Sequence, residues 1–237
     1  MTEAFGTVPG HPNHNEVSQI QDRLRNGPPL LLDGATGTEL NRRGVDTGLP
    51  MWSAKALLDA PDVLHSIHRD YVMAGADIIT ANTFRTHRRS LAAAGYADRA
   101  SLLCKKAVEI AQGAIEDAVP AHSREPLVAG SIAPLEDCYS PRLVPDSGTL
   151  LVEHYEMATT LADAGVDLLL VETMNTIREA AVAADAAVAT GLPVMISFVC
   201  GRDGKLLSGE GIPDAVDQLG RCGVAAFLVN CVAAPDL

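Results

Sequence analysis

The sequence predicts an α/β fold in which strand–helix units repeat around a parallel sheet. Four segments share one pattern, an amphipathic helix that stops at a glycine before a short apolar strand: MAGADIIT, DAGVDLLLVET, ATGLPVMISF and RCGVAAFLVNC. Strands that crossover helices bury on both faces are apolar almost without interruption. The 237 residues are 47% hydrophobic but only 4% aromatic, so aliphatic side chains must fill this core.

Each predicted element follows from a local pattern. The first apolar run, 30–32, ends at Asp33 and a glycine, as a strand that enters a turn does. The helix at 60–74 places Val63 and Ile67 on one face, and a glycine ends it. The predicted strands are 30–32, 76–80, 127–130, 166–171, 193–199 and 224–230, and the predicted helices are 60–74, 97–117, 149–164, 176–190 and 212–219.

Two architectures fit this order, an open doubly wound sheet and a (β/α)8 barrel. The first strand–helix turn reads DGATGTE, which is not the Gly-x-Gly-x-x-Gly of a dinucleotide site. Polar residues end nearly every strand, which favours the TIM-barrel type because its site is built from all the strand–helix loops. These residues are Asp33, Asn82, Ser131, Glu172, Ser197 and Asn230. About six of the eight strand–helix units of a barrel are recognisable.

Composition and charge exclude several classes of protein. Residues 1–18 are expected to form a disordered arm, and 19–237 a single, incomplete barrel. The formal net charge of −12 disfavours nucleic-acid partners, and no apolar run is long enough to predict a membrane span. No secretory signal is recognisable and the five cysteines are odd in number, so a cytoplasmic protein without a disulfide framework is expected.

Three strand ends carry the strongest chemical signals. Glu172 directly follows the buried run LLLV, where a carboxylate is costly unless it is paired, so a substrate amino group is a natural partner. Asp33 precedes glycines that would let a ligand approach the backbone, although a tight turn with a helix cap explains them equally well. Cys231 is a candidate nucleophile or soft-metal ligand, and a thiol used only for packing is the alternative.

Together, several segments resemble the homocysteine S-methyltransferase family in the expected order from Leu30 to Cys231: LLLDGATGTEL, MWSAKALLDAPDVLHSIHRDYVMAGADIITANTF, VAGSIAPLEDCYSP, AGVDLLLVETM and FLVNC. The resemblance implies a (β/α)8 barrel and an enzyme of the EC 2.1.1 class that moves a methyl group to the sulfur of homocysteine, giving methionine. It also implies Zn²⁺ held by three cysteine thiolates, with the fourth position open to the homocysteine sulfur.

The resemblance also assigns roles to residues. Cys231 corresponds to the first zinc ligand and is the implied catalytic thiol. Asp33 and Glu172 correspond to carboxylates around the amino end of the substrate, and Gly34 to a glycine of close approach. The implied pocket walls are Asn82, Thr83 and Ser131.

One departure from the family pattern leaves the activity open. The family's other two zinc ligands are adjacent cysteines, and this sequence has no Cys-Cys pair. The preferred interpretation is a barrel that lacks its last quarter and is inactive as it stands. Alternatively, Cys138 and Cys200 substitute as ligands beside Cys231, or the chain is a zinc-free ligand-binding or interaction protein that forms homo-oligomers through an open sheet edge.

Two further questions stay open at this point. A lyase or aldolase barrel is disfavoured because no lysine ends a predicted strand. The methyl donor is a small molecule that nothing in the sequence selects. S-methylmethionine, betaine and a methyl carried by folate or cobalamin are all used by members of the family.

Overall fold

A computed structural model describes residues 14–118 and 125–233 of the chain. The strands are β1 (Ile78–Ala81), β2 (Leu127–Ile132), β3 (Leu168–Met174), β4 (Val194–Phe198) and β5 (Ala226–Val229). The helices are α1 (His14–Asn26), α2 (Thr36–Arg42), α3 (Ala56–Asp59), α4 (Pro61–Met73), α5 (Arg88–Ala92), α6 (Ala100–Ala118), α7 (Ser147–Asp163), α8 (Ile177–Val188) and α9 (Ile212–Leu219). Short 3₁₀ turns lie at Trp52–Lys55, Ala97–Arg99, Pro141–Leu143 and Gly220–Cys222.

The five strands form one parallel sheet in the order β1-β2-β3-β4-β5. A doubly wound sheet reverses its strand order at the point where its ligand binds, and no such reversal occurs among these strands. Sequential parallel strands with a helical connection between neighbours are the arrangement of a (β/α)8 barrel. The topology therefore agrees with the barrel rather than the open sheet.

Both faces of the sheet are apolar, which explains the uninterrupted apolar strands. Alternate residues point to opposite faces of a strand, so Ile79, Leu169 and Ile196 pack against the helices in the larger core. On the other face, Ile78 and Leu170 belong to a smaller cluster. The remaining members of that cluster include Ala129, Leu168 and Met195, with Leu24 of α1 and Leu30, Leu32, Leu127, Ala226 and Leu228 packed against it. This second cluster is the interior face of the barrel.

The predicted strand at 30–32 is the main correction to the predicted elements. It lies parallel to β1 but forms only one bridge, between Leu32 and Ile78, and is too short to count as a strand. The Asp33 N–H donates to the Ile78 carbonyl (2.9 Å), and the Ile78 N–H donates to the Leu31 carbonyl (3.2 Å). The backbone N–H of Leu31 donates to the side chain of Asp77 (2.9 Å) and not to a strand carbonyl. Two prolines precede this run, and because proline cannot donate to a ladder, they limit its extension toward the amino terminus.

The glycine stops predicted from the sequence are confirmed. Gly75, Gly165, Gly191 and Gly223 follow helices or a helical turn and adopt φ values between 82° and 102°, the left-handed conformation that glycine accepts without strain. Five of the predicted helices correspond to α4, α6, α7, α8 and α9, with bounds that agree to within a few residues. The short helices α2, α3 and α5 lack a long apolar period and were not predicted.

The amino-terminal region differs in extent from the predicted arm. Helix α1 begins at His14 and so includes residues 14–18 of that arm, while residues 1–13 lie outside the described part. At the other end of this helix, Arg23 forms an ion pair with Asp77 (2.9 Å) beside the start of β1. None of the described helices has the length and hydropathy that a membrane crossing requires.

Candidate active site at the strand ends

A layer of polar residues lies above the interior apolar cluster. Counting outward by two from the inward-facing residues of each strand leads to Thr80, Ser131, Glu172, Ser197 and Asn230. Because the strands are parallel, these residues all lie at the carboxyl-terminal end of the sheet, where TIM barrels build their sites. The layer is therefore a consequence of strand register and not of any single motif.

Glu172 lies at the centre of this layer. Its Oε1 accepts a short hydrogen bond from Ser131 on β2, and its Oε2 accepts one from the Asn230 amide at the end of β5 (2.9 Å). Burial raises the pKa of Glu172, and the hydrogen bonds from Ser131 and Asn230 oppose that shift. No cation pairs with this carboxylate among the described residues, so a ligand ammonium would stabilise its charged form.

Asp33 provides a second carboxylate close to the first. Thr80 on β1 holds it with two hydrogen bonds, from the backbone N–H (2.9 Å) and from the hydroxyl (2.8 Å). Burial is the largest cause that raises the pKa of Asp33 to about 7; the Thr80 bonds oppose the shift, and the charge of Glu172 adds to it. A carboxyl group that is half ionised at neutral pH responds strongly to a cation that binds beside it.

Cys231 presents its thiol at the same end of the sheet, after β5. It is the one cysteine of the chain that is exposed; Cys222 is partly exposed, and Cys104, Cys138 and Cys200 are buried. Desolvation of the sulfur raises the pKa of the Cys231 thiol, and hydrogen bonding to Thr173 and Tyr139 opposes the shift. The sulfur lies 3.7 Å from Thr173 Oγ1.

The backbone is strained at Cys231 itself and at Thr173, the residue on β3 that its sulfur contacts. Thr173 has φ 59° and Cys231 has φ 54°, values that cost non-glycine residues free energy and that a β-branched side chain rarely adopts. The side chain of Asn230 compensates the strain at Thr173. It accepts from the Thr173 backbone N–H (3.2 Å) and donates to the Thr173 hydroxyl (2.9 Å). Asn230 therefore ties the carboxylate of Glu172 and the neighbourhood of Cys231 into one unit.

The thiol of Cys138 lies near that of Cys231, in the loop after β2. Burial raises the pKa of Cys138 to about 11, and the Cys231 thiolate charge contributes to the shift. Burial also raises the pKa of the Tyr139 hydroxyl to about 12, and the charge of Cys231 adds to that shift. Cys200 lies in a different loop, after β4, where its backbone forms an isolated antiparallel β-bridge with Leu206.

These residues do not make a complete metal site by themselves. Across residues 14–118 and 125–233, no group of three or more His, Cys, Asp or Glu side chains is arranged to hold a metal ion. The thiols considered as substitute ligands, Cys138, Cys200 and Cys231, are thus not assembled into such a group. Zinc sites are almost always four-coordinate, with three or four ligands from the protein, so the described donors do not fit zinc without further ligands.

Two glycines after Asp33 leave room for aromatic side chains. A Cβ at Gly34 would lie 2.7 Å from the hydroxyl of Tyr71, and one at Gly37 would lie 2.5 Å from the ring of Trp52. The nearest neighbours of both glycines are therefore protein groups. Gly34 is needed for packing against Tyr71, whatever a ligand requires of it.

The comparisons with known proteins agree with this geometry. Residues 30–237 match the sequence profile of the homocysteine S-methyltransferases. The chain belongs to the homocysteine S-methyltransferase family. Similar relatives are homocysteine S-methyltransferase 2 of Arabidopsis thaliana, 32% identical over 92% of this chain and 73% of that protein, and the selenocysteine Se-methyltransferase of Brassica oleracea var. italica, 32% identical over 86% of this chain and 66% of that protein. The homocysteine S-methyltransferase of Escherichia coli is 32% identical over 86% and 69%.

A solved structure supports the family's fold for this chain. The metallated form of the homocysteine methyltransferase MmuM from Escherichia coli superposes with a TM-score of 0.82 at 28% identity, covering 94% of this chain and 80% of that one. The predicted (β/α)8 barrel type is thereby confirmed. The chain spans about two thirds of the length of the curated relatives given above.

Within the homocysteine S-methyltransferase fold, two of the expected pocket residues have clear structural contacts. Asn82 is buried and its amide donates to the carbonyl of Ser53 (2.8 Å). The Thr83 hydroxyl donates to the carbonyl of Ser131 (2.9 Å) and accepts from its N–H (3.0 Å), so it replaces a rung of backbone pairing between β1 and β2. Both side chains hold loops in place beside Ser131, whose own hydroxyl reaches Glu172.

Sequence reasoning overlooked Thr173 and Tyr139 as contributors to this site, and it considered Thr80 as a polar strand-end residue without its contact to Asp33. Thr80 lies two residues after Ile78, so both side chains point to the interior face of the sheet. This alternation could have identified Thr80 from the sequence. Nothing local to the sequence identifies the left-handed backbone of Thr173, because the conformation depends on Asn230 from another strand.

Proposed function

We propose that the strand-end site binds homocysteine and presents its sulfur for methyl transfer, giving methionine. The observation that carries this proposal is that two partly buried carboxylates, Asp33 and Glu172, and an exposed thiol, Cys231, share one end of the sheet. We call this carboxyl-terminal end, with Asp33, Glu172 and Cys231, the rim. A small amino acid with a soft sulfur at its other end matches that arrangement. The printed names of the relatives, methyltransferases of homocysteine or selenocysteine, supply the acceptor class of a thiol or a selenol.

The amino end of the acceptor binds at the carboxylates. Burial disfavours the charged forms of Asp33 and Glu172, and an ammonium group between them would offset that cost. The hydrogen bonds from Thr80, Ser131 and Asn230 fix both carboxylates before the ligand arrives. A fixed site spends less of its binding energy on ordering side chains.

The sulfur end of the acceptor lies at Cys231. The nucleophile is the acceptor thiolate, whose sulfur forms a bond to the methyl carbon while the bond between that carbon and the donor breaks. The thiol proton must leave first, because a neutral thiol is a poor nucleophile. The rim holds the sulfur in line with the donor, so its contribution to the rate is chiefly positioning.

Any zinc dependence of the methyl transfer would involve Cys231. We propose this cysteine as the metal-ligating thiol of the chain, with Cys138 as its nearest thiol neighbour. The described residues supply too few donors for a zinc site, so further ligands are needed for metal activation. Bound zinc is therefore a separate property to be measured and not a premise of acceptor binding.

Methyl transfer from labelled donors to homocysteine tests the proposal directly. The purified chain is assayed with S-methylmethionine and with betaine carrying an isotopic methyl label, and zinc is quantified in the same preparation. We expect labelled methionine from the wild type and from Cys222→Ser, which changes a partly exposed thiol outside the rim, and none from Cys231→Ser. Equal turnover by all three proteins would refute the role of Cys231.

A second candidate function is a non-catalytic binding protein that associates through its sheet edge. All four residues of β5 are half-buried, and among the described residues this strand pairs only with β4. Unpaired strand edges favour association with another chain, here a second copy of the same one. A homo-oligomer whose dissociation leaves homocysteine binding intact supports this candidate. A monomer at high protein concentration eliminates it.

A further inference from the structure

Ser197 is a buried hydroxyl in the polar layer of the candidate site. It lies on β4, two residues after Met195 of the interior apolar cluster, so its side chain points to the interior face of the sheet. The residue is 2% exposed, and its Oγ has no hydrogen-bond partner among the described residues. Buried hydroxyls in folded proteins are nearly always paired, so an unpaired one at a candidate site points to a ligand.

The register between β3 and β4 places this hydroxyl beside Glu172. Ser197 is the single residue of β4 that lies opposite two residues of β3, Glu172 and Thr173. The flanking pairs of the ladder are Val171 with Ile196 and Met174 with Phe198. A two-against-one step of this kind is a β-bulge, which turns side chains in new directions and often lies next to an active site. On the other side, the partner of Ser197 on β5 is Leu228, which has no polar side chain.

The carboxylate of Glu172 does not use the Ser197 hydroxyl. Strands β2 and β4 are the two neighbours of β3, and each brings a serine to the polar layer. Ser131 on β2 donates to Glu172 Oε1, and the amide of Asn230 donates to Oε2. Each carboxylate oxygen thus has a donor from the chain. A ligand group that binds Glu172 therefore meets an unused hydroxyl at its side.

The charges around Ser197 select the kind of group that it contacts. Asp33 and Glu172 are both acidic and lie close together, so they repel a ligand carboxylate and favour an ammonium. A primary ammonium has three N–H donors, of which the two carboxylates can accept two. A hydroxyl oxygen accepts as readily as it donates, so Ser197 can accept the third.

We propose that Ser197 accepts a hydrogen bond from the ammonium of the acceptor and makes the site specific for a primary amine. This inference rests on the proposed function and adds a residue that determines specificity. A ligand without the amine leaves the buried hydroxyl unpaired. A site built around a polar group rejects the analogue that lacks it, because the buried partner then has no hydrogen bond.

Three probes separate the amine from the thiol. L-homocysteine carries both groups, 4-sulfanylbutanoate lacks the amine, and L-2-aminobutanoate lacks the sulfur. Calorimetry on the full chain measures the affinity for each. We expect Ser197→Ala to weaken both amine-bearing probes about tenfold, as one hydrogen bond to a charged group predicts, and to leave 4-sulfanylbutanoate unchanged. Ser101→Ala, at an exposed position of α6, should change none of the three affinities.

Urea denaturation without ligand distinguishes binding from a structural role. Ser197→Ala removes an unpaired buried hydroxyl, so the midpoint of its denaturation should not fall below that of the wild type. A lower affinity for the amines together with an undiminished midpoint supports the proposal. A lower midpoint with all three probes weakened equally would overturn it, because the hydroxyl would then support the fold.

The same measurements separate this inference from the proposed function. If homocysteine binds and Ser197→Ala leaves its affinity unchanged, only the role of Ser197 fails. If homocysteine binds no more tightly than L-2-aminobutanoate while Ser197→Ala weakens both, the amine site stands and the proposed thiol acceptor fails. A wild type that binds neither amine-bearing probe overturns both.

Discussion

Asp33 and Glu172 are two carboxylates for which burial raises the cost of ionisation. The charge of Glu172 contributes to the raised pKa of Asp33, and both side chains are bound by neutral hydrogen-bond donors. Such a pair discriminates in favour of a ligand that brings a positive charge. At the scale of single residues, we therefore propose that this site recognises the acceptor through its ammonium group.

The pKa of Asp33 predicts how acceptor binding depends on pH. Because that pKa is raised to about 7, Asp33 is mostly neutral at pH 6 and mostly ionised at pH 8, so homocysteine affinity should rise through this interval. Asp33→Asn should bind weakly and lose most of this dependence, while Glu116→Gln, at an exposed position of α6, should retain it. Calorimetry at pH 6, 7 and 8 measures the effect. An affinity in the wild type that does not change with pH would contradict the assignment.

Asn230 is a residue whose importance lies in geometry. Its amide makes hydrogen bonds to Glu172 and to the strained Thr173, so Asn230→Ala would leave buried groups unpartnered. We expect a loss of about 1–3 kcal/mol in the free energy of unfolding, measured by urea denaturation. Asn41→Ala, at an exposed position, should cost far less. Equal losses for the two variants would show that the strand-end network adds no stability.

At the scale of elements, the strands were easier to predict than the contacts among them. The glycine stops and uninterrupted apolar runs located β1 to β5, because burial on both faces leaves a strong local signal. The run at 30–32 does lie beside β1, but it is reduced to one bridge, because the prolines before it cannot extend the ladder. Pairings such as Asp33 with Thr80 depend on register between distant segments, which no local pattern encodes.

Helix α4 and the loop before α5 make stability depend on pH. His68 on α4 is fully buried with neither ring nitrogen hydrogen-bonded, and burial lowers its pKa to about 4; burial also lowers the pKa of His87 to about 3. The unfolded chain, with a histidine pKa of 6.5, takes up these protons first, so stability should fall as pH drops below 6.5. For His68 alone the loss between pH 7 and pH 5 is about 2 kcal/mol.

A core substitution tests this source of acid sensitivity. His68→Leu removes the titrating ring and should flatten the decline of unfolding free energy between pH 7 and pH 5. His65→Leu, on the same helix but partly exposed and 3.3 Å from Asp117, is the matched control and should keep most of the decline. Urea denaturation at several pH values gives both curves. Parallel curves for the wild type and His68→Leu would rule out His68 as the cause.

At the scale of the whole molecule, the barrel geometry brings the residues of the candidate site together. Thr80, Ser131, Glu172 and Asn230 come from four strands spread over 151 positions of the sequence, and they meet because each ends an inward-facing row. The resemblance to the homocysteine S-methyltransferase family predicted Asp33, Glu172 and Cys231 as site residues. It did not reveal the network around them, since the role of Thr173 depends on its contact with Asn230 from another strand.

A crystal structure of the chain with homocysteine bound tests the central claim most directly. We predict density for the ligand at the carboxyl-terminal end of the sheet, with its ammonium between Asp33 and Glu172 and its sulfur beside Cys231. Homocysteine bound elsewhere, for instance in the 240 Å³ surface cavity lined by Leu49, Lys55 and Tyr96, with the strand-end carboxylates uncontacted, would contradict the account.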